Sequence, residues 1–455
     1  MAAHNKAIFT EGPIAGPLLK LSLQMTFGML GIVAFNLVDT YFVGKLGTDE
    51  LAALGFTLPV VLIVQSVALG LGVGASAVIS RAIGEGNTDS VRRLTTDSLV
   101  LALLVVIGFA VAGLLTIGPV FRLLGARPEV LPLTARYMRI WYLGVIFVVV
   151  PMVGNNAIRA GGDAKTPAII MVVAALVNTA LDPLLIFGLG PFPRLEIEGA
   201  AIATVFSRAT TFSVALWVLG RRDRMLTAAV PKLTQVLDSW KRILYIGVPT
   251  AGTRIIVPLS IGVITKIVSV YGTPAVAGYG VASRIEFFAL AVMVALSSIL
   301  MPFVGQNLGA GKIQRLERGV RYGEVYALVW GGLMFVVLAP AARPIALLFN
   351  ANPDVISTVV TYLRIVPLAY GLQGMLAVST ASLNALNRPL HASVLTVAQM
   401  FCVYIPLAFL GSRLYGLAGV FGALALAYFL GGYAGHLVLG RAIASAARKH
   451  ASLTG

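Results

Sequence analysis

Residues 47–55 read GTDELAALG, and 225 positions later residues 272–280 read GTPAVAGYG. The shift pairs Gly47 with Gly272, Thr48 with Thr273, Ala52 with Ala277 and Gly55 with Gly280. Carried onward in the same register, it pairs Gly84 with Gly309, Gly86 with Gly311, Arg93 with Arg318, Pro128 with Pro353, Tyr137 with Tyr362 and Arg139 with Arg364. One register that serves so long a stretch marks an internal duplication. The fold is therefore read as two copies of one unit.

Composition says what that unit is made of. Of the 455 residues, 58% are hydrophobic and 11% charged, against about 45–50% and about 25% in soluble globular chains. A bilayer core about 30 Å thick takes about 20 apolar residues per helix. Apolar runs of that length recur at about 16–43, 51–80, 95–118, 131–158, 167–189, 198–219, 243–270, 276–306, 322–342, 355–385, 392–412 and 417–439. These predict an all-α polytopic membrane protein, with twelve transmembrane helices in two pseudo-symmetric six-helix lobes around a central cavity. Strict apolar/polar alternation, the mark of a membrane barrel, is absent. Each copy has an even number of spans, so the copies are parallel, as in two-lobed secondary transporters.

Lys and Arg crowd the connections on one side of these spans. With the N-terminus inside, twenty of the 34 basic residues fall on the cytoplasmic side, from Lys6, Arg81 and Arg92 to Arg448 and Lys449, and six fall outside. That bias places both termini in the cytoplasm. It also accounts for the net charge of +16 without a nucleic-acid partner. The expected divisions are residues 1–220 for the N-terminal lobe (TM1–TM6), 221–242 for a cytoplasmic linker, 243–440 for the C-terminal lobe (TM7–TM12) and 441–455 for a cytoplasmic tail. Leu233, Val236, Leu237 and Trp240 share one helical face, which predicts an amphipathic linker helix at the membrane surface. The N-terminal residues have no basic region, apolar core and cleavage site of the kind a removable signal carries.

Charges inside the spans carry the function. Asp39 sits in GIVAFNLVDTYFVGKLG and Asp182 in LVNTALDPLLIFGLG. A charge at the bilayer centre costs at least about 2.5–3.5 kcal/mol on insertion scales, so each acid is expected to face a cavity or a partner. Asn178 lies one turn before Asp182, where its amide can donate to the carboxylate. Pro183 follows the acid and predicts a helix kink beside it. The duplication places Ile264 opposite Asp39 and, after a three-residue gap, Met400 and Tyr404 opposite Asn178 and Asp182. Packing needs are common to both copies, so acids confined to one copy point to a task of that copy alone. Two coupled carboxylates suit reversible proton binding. With Asn178 they also suit Na⁺, and the sequence leaves the two ions open.

The second half has charges of its own in apolar runs: Arg254, Lys266, Arg284 and Glu286. They read as a structural ion pair or as snorkelling side chains; the alternative is that Lys266, Arg284 and Glu286 line a cavity in the C-terminal lobe. The turns GEGN at 84–87 and GAGK at 309–312 are helix-ending glycine turns and lack the spacing of a phosphate loop. GLGVGAS at 70–76 predicts close helix contact. Cys402, the single cysteine, reads as a packed interior residue, with neither disulfide nor zinc site. The histidines are scattered, no nucleophile is coupled to a base, and no ATP motif is present. These features exclude an enzyme, predict no cofactor beyond a coupling ion, and leave transport to draw on an ion gradient.

Together, NLVDTYFVGKLGTDELAALGF, its counterpart YGTPAVAGYGVASRIEFF, and NTALDPLLIFGLG followed by EGAAIATVF resemble the multidrug and toxic compound extrusion (MATE) family over residues 15–440. The first-span acid, with Asn178 and Asp182 in the fifth span, resembles its prokaryotic DinF-like branch. The resemblance implies a cation-coupling site in the N-lobe at Asp39, Tyr137, Asn178, Asp182 and Thr204. It also implies export of cationic or amphipathic drugs or toxins in exchange for H⁺ or Na⁺; the protein is expected to meet membrane lipid, and the pseudo-twofold cavity requires only a monomer. The other readings are a flippase for lipids or lipid-linked oligosaccharides from the same superfamily, and a membrane scaffold that transports nothing. Two features depart from the family pattern. The first span has no proline after Pro17, leaving Gly28 and Gly31 to supply any flexibility, and residues 355–385 lack the acid that NorM-like relatives carry in the tenth span.

Overall fold

The computed structural model describes residues 7–454, apart from the side chains of residues 32–37, 453 and 454. The expectation for Lys6 lies outside the described residues. Among the described residues the protein is helical, with no strand. Helices α1 (Ala15–Gly44), α2 (Thr48–Gly84), α3 (Thr88–Leu123), α4 (Leu131–Gly144), α5 (Ile146–Ala160), α6 (Lys165–Phe187) and α7 (Glu196–Trp217) cover the first half. The second half holds α8 (Leu233–Ser269), α9 (Thr273–Gly309), α10 (Ile313–Phe349), α11 (Pro353–Ile365), α12 (Tyr370–Ala385), α13 (Pro389–Val397) and α14 (Ile405–Thr454).

The duplication is written into the helix boundaries. Shifted by 225, α2 superposes on α9 residue for residue, and the start of α3 on the start of α10. The cause is local: each long helix ends in a turn whose glycine adopts positive φ, Gly86 at 71° and Gly311 at 69°, a conformation that costs glycine little.

Among the described residues, twelve traversals come from fourteen helices, because spans break and merge. Helices α4 and α5 form one span bent by 45°. Helices α11 and α12 form another, joined by the 3-10 turn Val366–Ala369. Helix α13, a π-helical stretch at Ala398–Tyr404 and α14 run on as two further spans, divided at Gly416, where φ is 62° and ψ −143°. Outward-facing Leu115, Phe206, Val336 and Leu348 are exposed, as lipid-facing positions are in a protein without its bilayer.

The helices gather into two units, one holding residues 24–251 and the other residues 9–23 with 252–455. The boundaries differ from those expected along the chain. No separate amphipathic helix fills the linker: residues 223–232 are irregular, and Leu233 opens α8, which continues to Ser269. Leu233 and Leu237 are exposed, and the Trp240 indole donates to the carbonyl of Asp97 at 3.1 Å. The first turns of α8 belong to the first unit because they run against α2. A Cβ on Gly70 would lie 2.5 Å from the Gly247 carbonyl oxygen, and one on Gly74 2.3 Å from that of Ile243. The small-residue run at 70–76 is thus a backbone-to-backbone contact. At the far end, helical structure persists through the tail to Thr454. Cys402 is exposed, not packed inside; the π-helical stretch that carries it turns its side chain outward.

Between α5 and α6, Arg222 reaches Asp163 and Asp223, each at 2.7 Å. Burial alone would raise the Asp163 carboxyl, but bonds from Thr166 and Arg222 hold it below its usual range. The stabilisation is therefore complete at neutral pH and is lost as pH falls through the lowered value.

In the second unit, residues 9–12 form a strap over the start of α10. Phe9 donates its amide to Gln306 and packs on Phe303, while the Arg315 guanidinium donates to the carbonyls of Phe9, Glu11 and Gly12 at 2.7–2.9 Å. Charge-assisted bonds are worth about 1.5–3 kcal/mol each. Arg315→Ala is accordingly expected to raise hydrogen exchange across residues 9–12 by tenfold or more, read by mass spectrometry; exchange equal to wild type would refute the strap.

Candidate functional site

The first unit assembles its site by close helix approach. A Cβ on Gly28 would fall 2.8 Å from the Ala168 Cα, and one on Gly31 3.4 Å from Val172. These glycines let α1 run alongside α6, with contacts rising in the same order on both helices. Asp39 and Asp182 lie 11 and 14 residues beyond Gly28 and Ala168. At about 1.5 Å per residue the two acids arrive near one level. Helix α7 closes on α6 in turn: Gly199 abuts the Leu185 carbonyl, and Ser207 donates to the Ala174 carbonyl at 2.7 Å. Thr204 is thereby set on the buried face of α7. From α4, Thr134, Tyr137, Met138 and Trp141 form the buried stripe, and Tyr137 points among the others.

All five residues implied for the N-lobe site are buried: Asp39 at 8% exposure, Tyr137 at 5%, Asn178 and Asp182 at 0% and Thr204 at 7%. Asn178 Nδ2 donates to Asp182 Oδ1 at 3.2 Å, the bond expected from their spacing. Asp39 lies in electrostatic reach of Asp182, and both act on Tyr137. The Thr204 hydroxyl sits beside the Tyr137 phenol without making a hydrogen bond of good geometry. Pro183 does not interrupt α6, which is continuous to Phe187. It deprives the Thr179 carbonyl of its amide partner close to the C-terminal end of α6; the sharp bend of this unit is at Val145.

What distinguishes the cluster is its unused oxygen. Asp39 Oδ1, Asn178 Oδ1, Asp182 Oδ2 and Thr204 Oγ1 are buried and have no hydrogen-bond partner. Buried polar atoms are nearly always satisfied, so four such oxygens in one cluster need an explanation. Hard oxygen donors around two carboxylates suit a proton or a small monovalent cation. Among the described residues neither aspartate forms an ion pair within 4.0 Å, and no group of three or more His, Cys, Asp or Glu could hold a metal.

Sequence reading missed Arg208. It acts electrostatically on Asp39 and Tyr137 from α7, one turn after Thr204; that i, i+4 spacing was the available signal. In the second unit, no ion pair joins Lys266, Arg284 and Glu286 among the described residues. Lys266 and Arg284 are exposed, as is Arg254, whereas Glu286 is buried and held by tyrosines. Two positions apart on one helix, Arg284 and Glu286 face different ways.

A family model described as MatE matches residues 25–184 and again residues 249–410. An FAD transporter of Shewanella oneidensis is 40% identical over 424 residues, covering 93% of this chain and 94% of that protein. The multidrug export protein MepA of Staphylococcus haemolyticus is 26% identical over 420 residues, with 92% of each chain covered. The Vibrio cholerae MATE transporter VcmN in its bent form matches with a TM-score of 0.91 at 30% identity, over 95% of this chain and 98% of that one.

Proposed function

Because the chain belongs to the MatE family of membrane transporters, we propose that it is a secondary active exporter that exchanges amphipathic small molecules for H⁺ or Na⁺ by alternating access. It is an integral membrane transporter and not an enzyme. The carrying observation is the set of unpartnered buried oxygens on Asp39, Asn178, Asp182 and Thr204, joined by Tyr137. A cation that enters there neutralises the carboxylates and satisfies those oxygens, so loading and unloading it changes the packing of α1, α4, α6 and α7. That coupling gives the cation a means to bias which conformation the first unit adopts. The protein works in a prokaryotic cytoplasmic membrane with both termini inside, as a monomer.

Two cargoes are supported by different observations. Relatives named as multidrug exporters favour cationic or amphipathic aromatic drugs. The relative at 40% identity, named as an FAD transporter, favours a flavin dinucleotide. Its diphosphate is anionic, and exposed Arg254, Lys266 and Arg284 give the second unit cationic groups within apolar helices. Both cargoes fluoresce, so one proteoliposome experiment decides. With H⁺ and Na⁺ gradients imposed separately, gradient-driven movement of ethidium, of FAD or of both identifies cargo and ion. No gradient-driven flux of either would refute the proposal.

A further inference from the structure

The second unit contains a buried acid that the first unit's site does not use. Glu286, on α9, accepts hydrogen bonds at its two carboxylate oxygens from the hydroxyls of Tyr362 and Tyr428. Tyr279, Tyr370 and Tyr404 also lie within its electrostatic reach. Of these, the Tyr370 and Tyr404 hydroxyls are buried and have no hydrogen-bond partner. Among the described residues no lysine, arginine, histidine or second carboxylate acts on Glu286. The other buried acid of this unit, Glu324 on α10, pairs instead with His436 of α14 at 2.9 Å.

The backbone is irregular around this acid. Tyr362 and Tyr370 flank the 3-10 turn Val366–Ala369, and Tyr404 ends the π-helical stretch Ala398–Tyr404. Such departures recur at functional sites and are tolerated at membrane depth where protein surrounds them. Their position is also informative. The 225-residue shift puts Tyr362 in the place of Tyr137, and, past the three-residue gap, Tyr404 in the place of Asp182. Tyr404 thus stands where the first unit has an acid, while Tyr362 repeats Tyr137.

We propose that Glu286, with Tyr362, Tyr370, Tyr404 and Tyr428, is a second proton-exchange site, which binds and releases one proton per transport cycle independently of Asp39 and Asp182. As a carboxylate, Glu286 is stabilised by two phenolic donors, which replaces the counter-ion that a buried anion otherwise requires. As a carboxylic acid it donates one hydrogen bond, which the hydroxyl oxygen of Tyr362 or Tyr428 accepts by turning its own hydrogen away. Each protonation state of the carboxyl thus has a partner among the phenols that already touch it. A metal ion would have one carboxylate for charge and would have to turn both phenolic donors away first.

Infrared difference spectra of the full chain in lipid, taken across a pH titration, test this. The expected result is a protonated-carboxyl C=O band that disappears in Glu286→Gln and persists in the Asp39→Asn, Asp182→Asn double variant. In proteoliposomes, substrate-driven proton movement by Glu286→Gln should fall by one proton per substrate. Should Glu286→Gln fail to fold, Tyr428→Phe carries the test, and a shifted carboxyl band is expected. A band unchanged in Glu286→Gln, one lost only with the aspartates, one unshifted in Tyr428→Phe, or one that responds to Na⁺ and not to pH would each overturn the proposal. Because the band is read without transport, failure here leaves the first unit's role to be judged separately.

Discussion

Protein carrying Asp39→Asn and Asp182→Asn is expected to insert and fold, yet to lose gradient-driven export by a hundredfold or more. Each amide keeps nearly the shape of the acid, so the packing of α1 against α6 through Gly28 and Gly31 is undisturbed. What goes is the charge that a cation neutralises. A membrane potential of 100 mV is worth about 2.3 kcal/mol per charge moved. Each uncoupled charge therefore lowers the attainable concentration ratio by roughly fifty-fold. Passive binding of cargo should survive, which separates coupling from recognition: cargo affinity in detergent stays near wild type while uphill flux in proteoliposomes collapses. Wild-type uphill flux in correctly inserted double variant would remove the first unit's acids from the mechanism.

The second large effect concerns assembly. Replacing Gly74 by valine should abolish recovery of monodisperse protein, and alanine there should lower stability by about 1–3 kcal/mol, the usual cost of overpacking. The reason is that the atoms an added Cβ would strike are backbone: the Ile243 carbonyl oxygen at 2.3 Å and the Gly247 nitrogen at 3.2 Å. Backbone in two packed helices cannot swing aside as a side chain can, so α2 and α8 must separate, and with them a contact made by small residues. Gly118→Ala in α3 is the control. Its added Cβ meets nothing within 4 Å, and it should be neutral or stabilising by up to about 1 kcal/mol through helix propensity. Thermal unfolding followed by size-exclusion chromatography compares the three; equal behaviour of Gly74→Ala and Gly118→Ala would refute the close-contact account.

Much of the site was legible because it is local. Asn178 and Asp182 are one turn apart on a helix, so their hydrogen bond follows from spacing. The glycine turns at 84–87 and 309–312 follow from the conformational freedom of glycine. The rarity of acids in lipid singled out Asp39 and Asp182. Arg208 and Glu286 were harder for one reason: an intramembrane cation or acid invites pairing with the nearest opposite charge along the chain. The fold instead sets Glu286 among phenols 76 and 142 residues away and brings Arg208 toward an aspartate on α1.

From the chain alone came the class of protein, the duplication, the number of spans and the two candidate acids of the first unit, because each depends on composition, periodicity or the cost of charge in hydrocarbon, all properties of residues and their near neighbours. Only tertiary structure decided which oxygens stand unpartnered, which tyrosines enclose Glu286, and that the glycines of α1 are sites of helix contact. Those depend on which faces of distant helices meet, and a helix presents every side chain somewhere; the partner that packs against it determines what that side chain can do.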